Sequence, residues 1–256
     1  MKIFSRLLFP VLLAAGSAAG ADTPVTTAPA SSWTVGTGAD YSRGDYGFTA
    51  DTEVFSVPLN FGYESGPWRF NASVPWLTIR GPAAITGSGG AARPTAASES
   101  GLGDLYAGAS YAFGQVGPVN LGFTGRLKLP TADETRGLGT GETDFYGQLD
   151  LSRTFGACTP FASVGWRVLG DSAAYQLQDG LYGSVGAHFR ASPTTVWTVA
   201  GDWGRRIIAG GDPTMDVLVM FNRDIAPSWR FTAYALKGFT DASPDFGGGL
   251  ALSRRF

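Results

Sequence analysis

Arg126 and Lys128, and further along His188 and Arg190, stand at alternate positions inside apolar runs. That spacing puts side chains on one face of a β-strand. Four more basic residues, Arg69, Arg167, Arg230 and Arg255, recur in the same setting, as do Asp40, Asp104, Asp150, Asp202 and Asp216. Two kinds of chemistry fit such a set. One is a charged path for small solutes with a mild preference for anions. The other is an internal salt-bridge network that fills and stiffens the interior, because buried charges are normally paired. The two are compatible if the network leaves a narrow way through.

Catalysis is the weaker reading. His188 is the single histidine and shares its strand face with Ser184 and Arg190. A lipid-modifying barrel enzyme needs a serine–histidine pair and an orienting polar group, and no serine stands in a companion motif here. The expected role of His188 is a hydrogen bond inside the protein, and the chain is not expected to be an enzyme. One cysteine, Cys158, placed in a turn at 156–159, and one histidine make no ligand set for zinc or an iron–sulfur cluster. No metal and no other cofactor is implied. Gly101-Leu-Gly-Asp-Leu105 lacks the Gly-Lys-Ser/Thr and the helix of a phosphate loop. It reads as a loop re-entering a strand, with Asp104 at the inner rim.

The elements that must carry these residues follow from period-two alternation. Segments 33–41, 54–63, 68–79, 104–113, 119–129, 145–155, 161–169, 181–190, 196–204, 215–222, 229–237 and 246–256 each alternate apolar and polar residues. In 119–129, for example, Val119, Leu121, Phe123, Leu127 and Leu129 oppose Asn120, Thr124, Arg126 and Lys128. Most of these runs are close to the roughly 9–11 residues a tilted membrane strand requires. Short connections around 65–67, 114–118, 156–159, 191–194 and 224–228 interleave with longer ones at 42–53, 80–103, 130–144, 170–180, 205–214 and 238–245. Tight turns at one end and long loops at the other are the asymmetry of outer-membrane barrels. The fold class expected is therefore all-β, an up-and-down antiparallel transmembrane barrel of about 12 strands, one domain over 33–256 after a short segment at 22–32.

Basic residues in lipid cost roughly 2–4 kcal/mol at mid-membrane, so the charged face must look inward. Leu, Val, Phe and Trp then face the bilayer, with Trp33, Tyr41, Trp68, Trp203 and Trp229 as interface aromatics. Pro58 and Pro75 lie inside strands and each removes a ladder donor. They read as a bulge or strand break, with a lateral gap in the wall as the alternative.

The chain ends agree with export. Lys2 and Arg6, the apolar run 7–15 and Ala19-Gly20-Ala21 form a signal peptide cleaved before Asp22. The remaining residues carry 17 basic and 21 acidic side chains, a net charge of −4, which gives no hint of nucleic acid as a partner. The final strand stops on Phe256 with Phe246, Leu250 and Leu252 on the same face. Such an ending is expected to serve the barrel-assembly machinery as the C-terminal signal, and to pair with the first strand to close the cylinder.

Several short motifs resemble a known group. Val57-Pro58-Leu59 with Tyr63, Val74-Pro75, Gly101-Leu-Gly-Asp-Leu105, Leu127-Lys-Leu-Pro-Thr131 and Leu138-Gly-Thr-Gly141 are similar to the "meta-pathway of phenol degradation" family of outer-membrane transporters. The departure is Ala132, where glycine often follows Leu-Pro-Thr. The resemblance implies a barrel in the bacterial outer membrane, with a transport role and no catalytic residues to carry over. Aromatic or other catabolic solutes are its hint. Together the readings point to passive uptake of small molecules, with selectivity from the inner charges and from loop 80–103. A plugged structural barrel and the enzyme centred on His188 are the alternatives.

Overall fold

The computed structural model describes residues 31–86, 89–92, 98–171 and 176–256. The expected signal peptide and most of segment 22–32 lie outside the described residues. The chain forms β1 (Ser32–Gly44), β2 (Thr52–Ser65), β3 (Trp68–Arg80), β4 (Ala83–Thr86), β5 (Gly89–Ala92), β6 (Glu99–Leu102), β7 (Leu105–Val116) and β8 (Val119–Leu129). It continues with β9 (Asp144–Ser152), β10 (Cys158–Val168), β11 (Gly180–Ser192), β12 (Thr195–Gly204), β13 (Thr214–Ala226), β14 (Trp229–Gly238) and β15 (Phe246–Arg255). Among the described residues β4 and β5 pair with each other and not with the main sheet. The others make one antiparallel sheet in sequence order, and β15 returns to β1 from Thr34↔Arg255 to Arg43↔Phe246. Trp33 and Phe256 exchange both backbone bonds, at 2.8 and 3.1 Å. The cylinder is closed, so no strand edge is left to be satisfied elsewhere.

β6 and β7 together are one wall strand with a defect. Ser73 pairs with Tyr106 and Trp76 with Leu102, so two residues of β3 face three of the neighbour. That extra residue is a β-bulge at Gly103–Asp104, and it makes the barrel twelve-stranded. The bulge expected at the prolines is not between β2 and β3. Pro58 and Pro75 are direct partners in an unbroken register from Glu53↔Arg80 to Ser65↔Trp68. Their carbonyls point to the outer neighbours: Thr37 Oγ1 donates to Pro58 O at 2.9 Å, and Gly103 N to Pro75 O at 2.8 Å. The missing donors therefore face the flanking strands, where the β1–β2 ladder is interrupted at 38–39 and β7 has its bulge. Gly103 is required at this point, since a Cβ there would lie 2.8 Å from both Pro75 Cγ and Leu77 Cδ1.

Four of the five short connections are two-residue turns, at 66–67, 117–118, 193–194 and 227–228. Gly66 and Gly117 adopt φ of 58° and 62°, each followed by proline, as a type II′ hairpin demands. The strands run further into these turns than alternation alone indicates. Cys158 opens β10 rather than sitting in the turn.

The outer face is a belt of exposed Leu, Val, Phe, Trp and Met from nearly every wall strand, far larger than soluble monomers present to water. The expected aromatics Trp33, Tyr41, Trp68 and Trp203 all lie on it. The inner face is not purely polar, which corrects the assignment of Leu and Val to the outside. Leu218, Met220, Tyr234 and Leu236 cluster inside, as do Val54, Leu77, Ile79 and Leu138, and Tyr146, Leu169, Leu177, Tyr182 and Ile207. Glycine makes room for the larger of these. Tyr234 lies over its cross-strand partner Gly249, and Tyr182 over its partner Gly165.

Candidate functional site

The inner face changes character along the axis. At the loop end the loop between β8 and β9 folds into the barrel. Asp133 caps a single 3-10 turn, Glu134–Arg136, through Thr135. The bond from the Thr135 hydroxyl holds the Asp133 carboxyl below the usual carboxylate range. Gly137 ends the turn in the left-handed region (φ 69°), which sends Leu138, Gly139 and Thr140 inward, all buried. Leu138 seats among Val54, Leu77 and Ile79. Arg136 ties the loop back to Glu99 (2.9 Å) and to the Ser100 carbonyl (2.7 Å).

Beneath Thr140 lies a buried ion cluster. Lys128 Nζ is 3.1 Å from Asp144 Oδ2 and 3.6 Å from Asp104 Oδ2, and it also donates to Thr140 Oγ1. Asp104 accepts from the Ala132 amide (3.1 Å), and Asp144 accepts from the Gly170 amide (3.1 Å) and the Tyr146 hydroxyl (3.2 Å). Lys128, Thr140 and Asp144 have 0% exposure. Arg167, at 2%, donates to the Arg205 carbonyl. On the facing wall Tyr234 donates to Asp40, both of them buried. The loop-end half is thus filled by side chains and inserted loop.

The turn-end half is open. A cavity of about 170 Å³ is lined by residues of β1, β2, β3, β13, β14 and β15. Arg69 pairs with Glu64 at 2.6 Å, and Arg230 pairs with Asp224 through bonds of 2.6 and 3.2 Å. Arg255 projects into the same space. Asn60 Oδ1 and Nδ2, and Asn222 Nδ2, are buried at its wall without partners among the described residues.

The remaining sequence-derived candidates line the wall between these regions. The Arg126 guanidinium lies 5.3 Å from the Tyr146 ring centre. Asp150 accepts from Thr124 (2.9 Å) and Gln148 (2.5 Å). His188 Nδ1 bonds to Thr198 Oγ1 at 2.8 Å, and its ring stacks on Phe161, so its polar contact is with a threonine of β12. Arg190 lies at the exposed turn end. Asp202 and Asp216 are direct partners across β12 and β13. The candidates are therefore not one site but a sleeve, with a packed cluster at one end and a vestibule at the other. Phe256 is outside the barrel, where Arg254 lies over its ring and over Trp229, at 4.8 and 5.5 Å.

Sequence reasoning passed over Asp144, Thr140, Leu138, Asn60 and Asn222. Asp144 had a usable signal, an acidic residue at the head of one strand after a strand with Lys128 next to its last position. Leu138 and Thr140 stood in one of the motifs of the family resemblance, but nothing there placed them inside the barrel, because a loop's fold-back depends on the walls it meets. The segment found inside the barrel is 137–140. Loop 80–103, the expected source of selectivity, contributes the β4–β5 hairpin and β6, while side chains 84–97 lie outside the described residues.

No family model and no curated protein matches the chain. Solved structures do. An outer-membrane channel from Pseudomonas putida F1 is 14% identical, with 93% of this chain and 99% of that one covered and a TM-score of 0.67. The NanC porin is 8% identical over 86% and 98%, at 0.55. The translocator domain of the autotransporter NalP from Neisseria meningitidis is 12% identical over 91% and 90%, at 0.51. At such identities the likeness is one of fold: the chain is a closed twelve-stranded antiparallel β-barrel of the architecture these outer-membrane proteins share.

Proposed function

We propose that the protein is a bacterial outer-membrane channel for passive uptake of small molecules, with the tight turns in the periplasm and the long loops outside. The observation that carries this reading is the pairing of an apolar outer belt with an inner face that holds a water-reaching polar vestibule beneath a loop-built constriction. A barrel serving only as a scaffold has no use for a vestibule lined by three arginines. The membrane's lipids cover the belt, the assembly machinery reads the strand ending on Phe256, and the signal peptide directs export. The likeness to a channel and a porin of known structure supports the same reading. The family resemblance extends the cargo to aromatic or other catabolic solutes.

Passage requires the inserted segment 137–140 to shift, since it and the Lys128 cluster fill the loop end. The burial of that end equally suits a plugged barrel that conducts nothing. Single-channel recording of the purified protein in planar bilayers separates the two. Discrete conductance steps are expected, with long closed periods. Silence in bilayers together with no solute entry into proteoliposomes sinks the channel reading and leaves the plug.

A further inference from the structure

We infer that the turn-end vestibule is a binding site for small hydroxylated monocarboxylates, which a channel of this kind would hold on the periplasmic side of its constriction. The inference deepens the channel reading and rests on it for that placement.

Charge comes first. The vestibule is lined by Arg69, Arg230 and Arg255 against Glu64 and Asp224, an excess of one positive charge. Two guanidiniums are already matched to carboxylates within 2.6 Å. Arg255 is the vestibule guanidinium with no carboxylate partner among the described residues, and a planar fork of donors suits one carboxylate. A dianion would have to displace Glu64 or Asp224 from its partner, and a cation would meet the excess charge.

Polar matching comes second. Asn60 is 7% exposed and Asn222 5%, and both form part of the vestibule wall. Asn60 leaves one donor group and one acceptor unmet, and Asn222 leaves a donor group unmet. An orphaned buried amide is costly, and a hydroxyl, which both donates and accepts, can answer either kind. The register brings these groups together. Gly36 of β1 lies between Asn60 of β2 and Ser253 of β15, and Ser253 pairs with Arg230 of β14. Thr34, one step toward the turns, pairs with Arg255. The absent side chain at Gly36 keeps the space between amide and guanidinium clear.

Size comes third. An apolar cavity of about 150 Å³ admits benzene, so about 170 Å³ fits a solute of roughly seven non-hydrogen atoms. Glycerate has that size, one carboxylate and two hydroxyls, and glycerol is its neutral counterpart.

The test is titration calorimetry of the full-length protein refolded in detergent at about 0.15 M salt, near physiological ionic strength, with glycerate and glycerol as probes. Glycerate should bind, and glycerol about tenfold or more weakly, the loss expected when one charge-assisted partner is missing. Arg255→Gln should weaken glycerate to the level of glycerol, and Asn60→Leu should weaken both probes. Arg254→Gln, on the outer face, should bind as the unaltered protein does. Equal affinity for the two probes, no binding of glycerate, or full affinity in folded Arg255→Gln overturns the inference. If Arg255→Gln does not fold, the glycerate-to-glycerol ratio of the unaltered protein decides. Conductance without glycerate binding overturns the site and leaves the channel. Binding without conductance upholds the site and removes the channel.

Discussion

Lys128 Nζ lies 3.1 Å from Asp144 Oδ2 with neither side chain exposed, and the register makes the two residues direct partners across β8 and β9. Withdrawing either charge strands the others in a site that water does not reach. Lys128→Met leaves Asp104 and Asp144 facing each other without a cation. Breaking a buried pair in this way costs about 3–5 kcal/mol. Unfolding followed by the mobility shift of unheated protein on SDS gels should show a clearly lower midpoint. Replacing Asp104 and Asp144 by Asn in the same chain should restore much of it. An unchanged midpoint for Lys128→Met would mean that the cluster contributes no net stability.

Leu138 holds the inserted loop in place by filling the space among Val54, Leu77 and Ile79. Leu138→Ala removes that anchor, and truncations of this kind cost about 2–5 kcal/mol where the site cannot collapse. Part of that loss should appear as local release of the loop. In planar bilayers the variant should spend more time open than the unaltered protein. The constriction is assigned wrongly if open time stays the same while the loop becomes accessible to protease.

Gly103 sits where the β6–β7 bulge passes Pro75. Gly103→Ala places a Cβ 2.8 Å from two fixed side chains, an overpacking worth about 1–3 kcal/mol. Gly122→Ala is the control, because its nearest neighbours are at an ordinary 3.5 and 3.7 Å. The first should lower the unfolding midpoint and the second should not. Equal effects would show that the bulge is soft.

Phe256 keeps its backbone bonds to Trp33 whatever its side chain, so Phe256→Ser leaves closure intact. The side chain's expected role is in assembly. Cells making the variant should yield several-fold less heat-modifiable protein in the outer-membrane fraction, while protein refolded in detergent should unfold near the usual midpoint. A normal yield would remove Phe256 as the assembly signal.

Mass spectrometry of protein isolated from membranes should place its first residue at Asp22. Retention of 1–21 would mean that the N-terminal apolar run is an anchor.

The wall of this protein was legible residue by residue. In β8 the alternation of Phe123 and Leu127 with Thr124, Arg126 and Lys128 gives both the strand and the direction of each side chain, because a strand's period is fixed by backbone geometry. The order of short and long connections gives the strand count, and an antiparallel cylinder with that order must close β15 on β1. The prolines were legible only as irregularities. Locating them took the pairing itself, which sets Pro58 opposite Pro75 and moves the bulge to Gly103.

The site was legible as composition and not as place. Sequence put Arg126, Lys128, Arg230 and Asp150 on the inner face, since their charge bars them from lipid. It could not say that Lys128 is sealed under Thr140 while Arg230 opens onto a vestibule. That difference depends on which residues meet across strands far apart in the chain, and on a loop turning inward at Gly137. Alternation and charge, acting on each strand alone, determined the barrel and its two faces. Register and loop packing, which exist only once twelve strands have met, decided which end is filled, which is open, and which vestibule arginine has no carboxylate partner among the described residues.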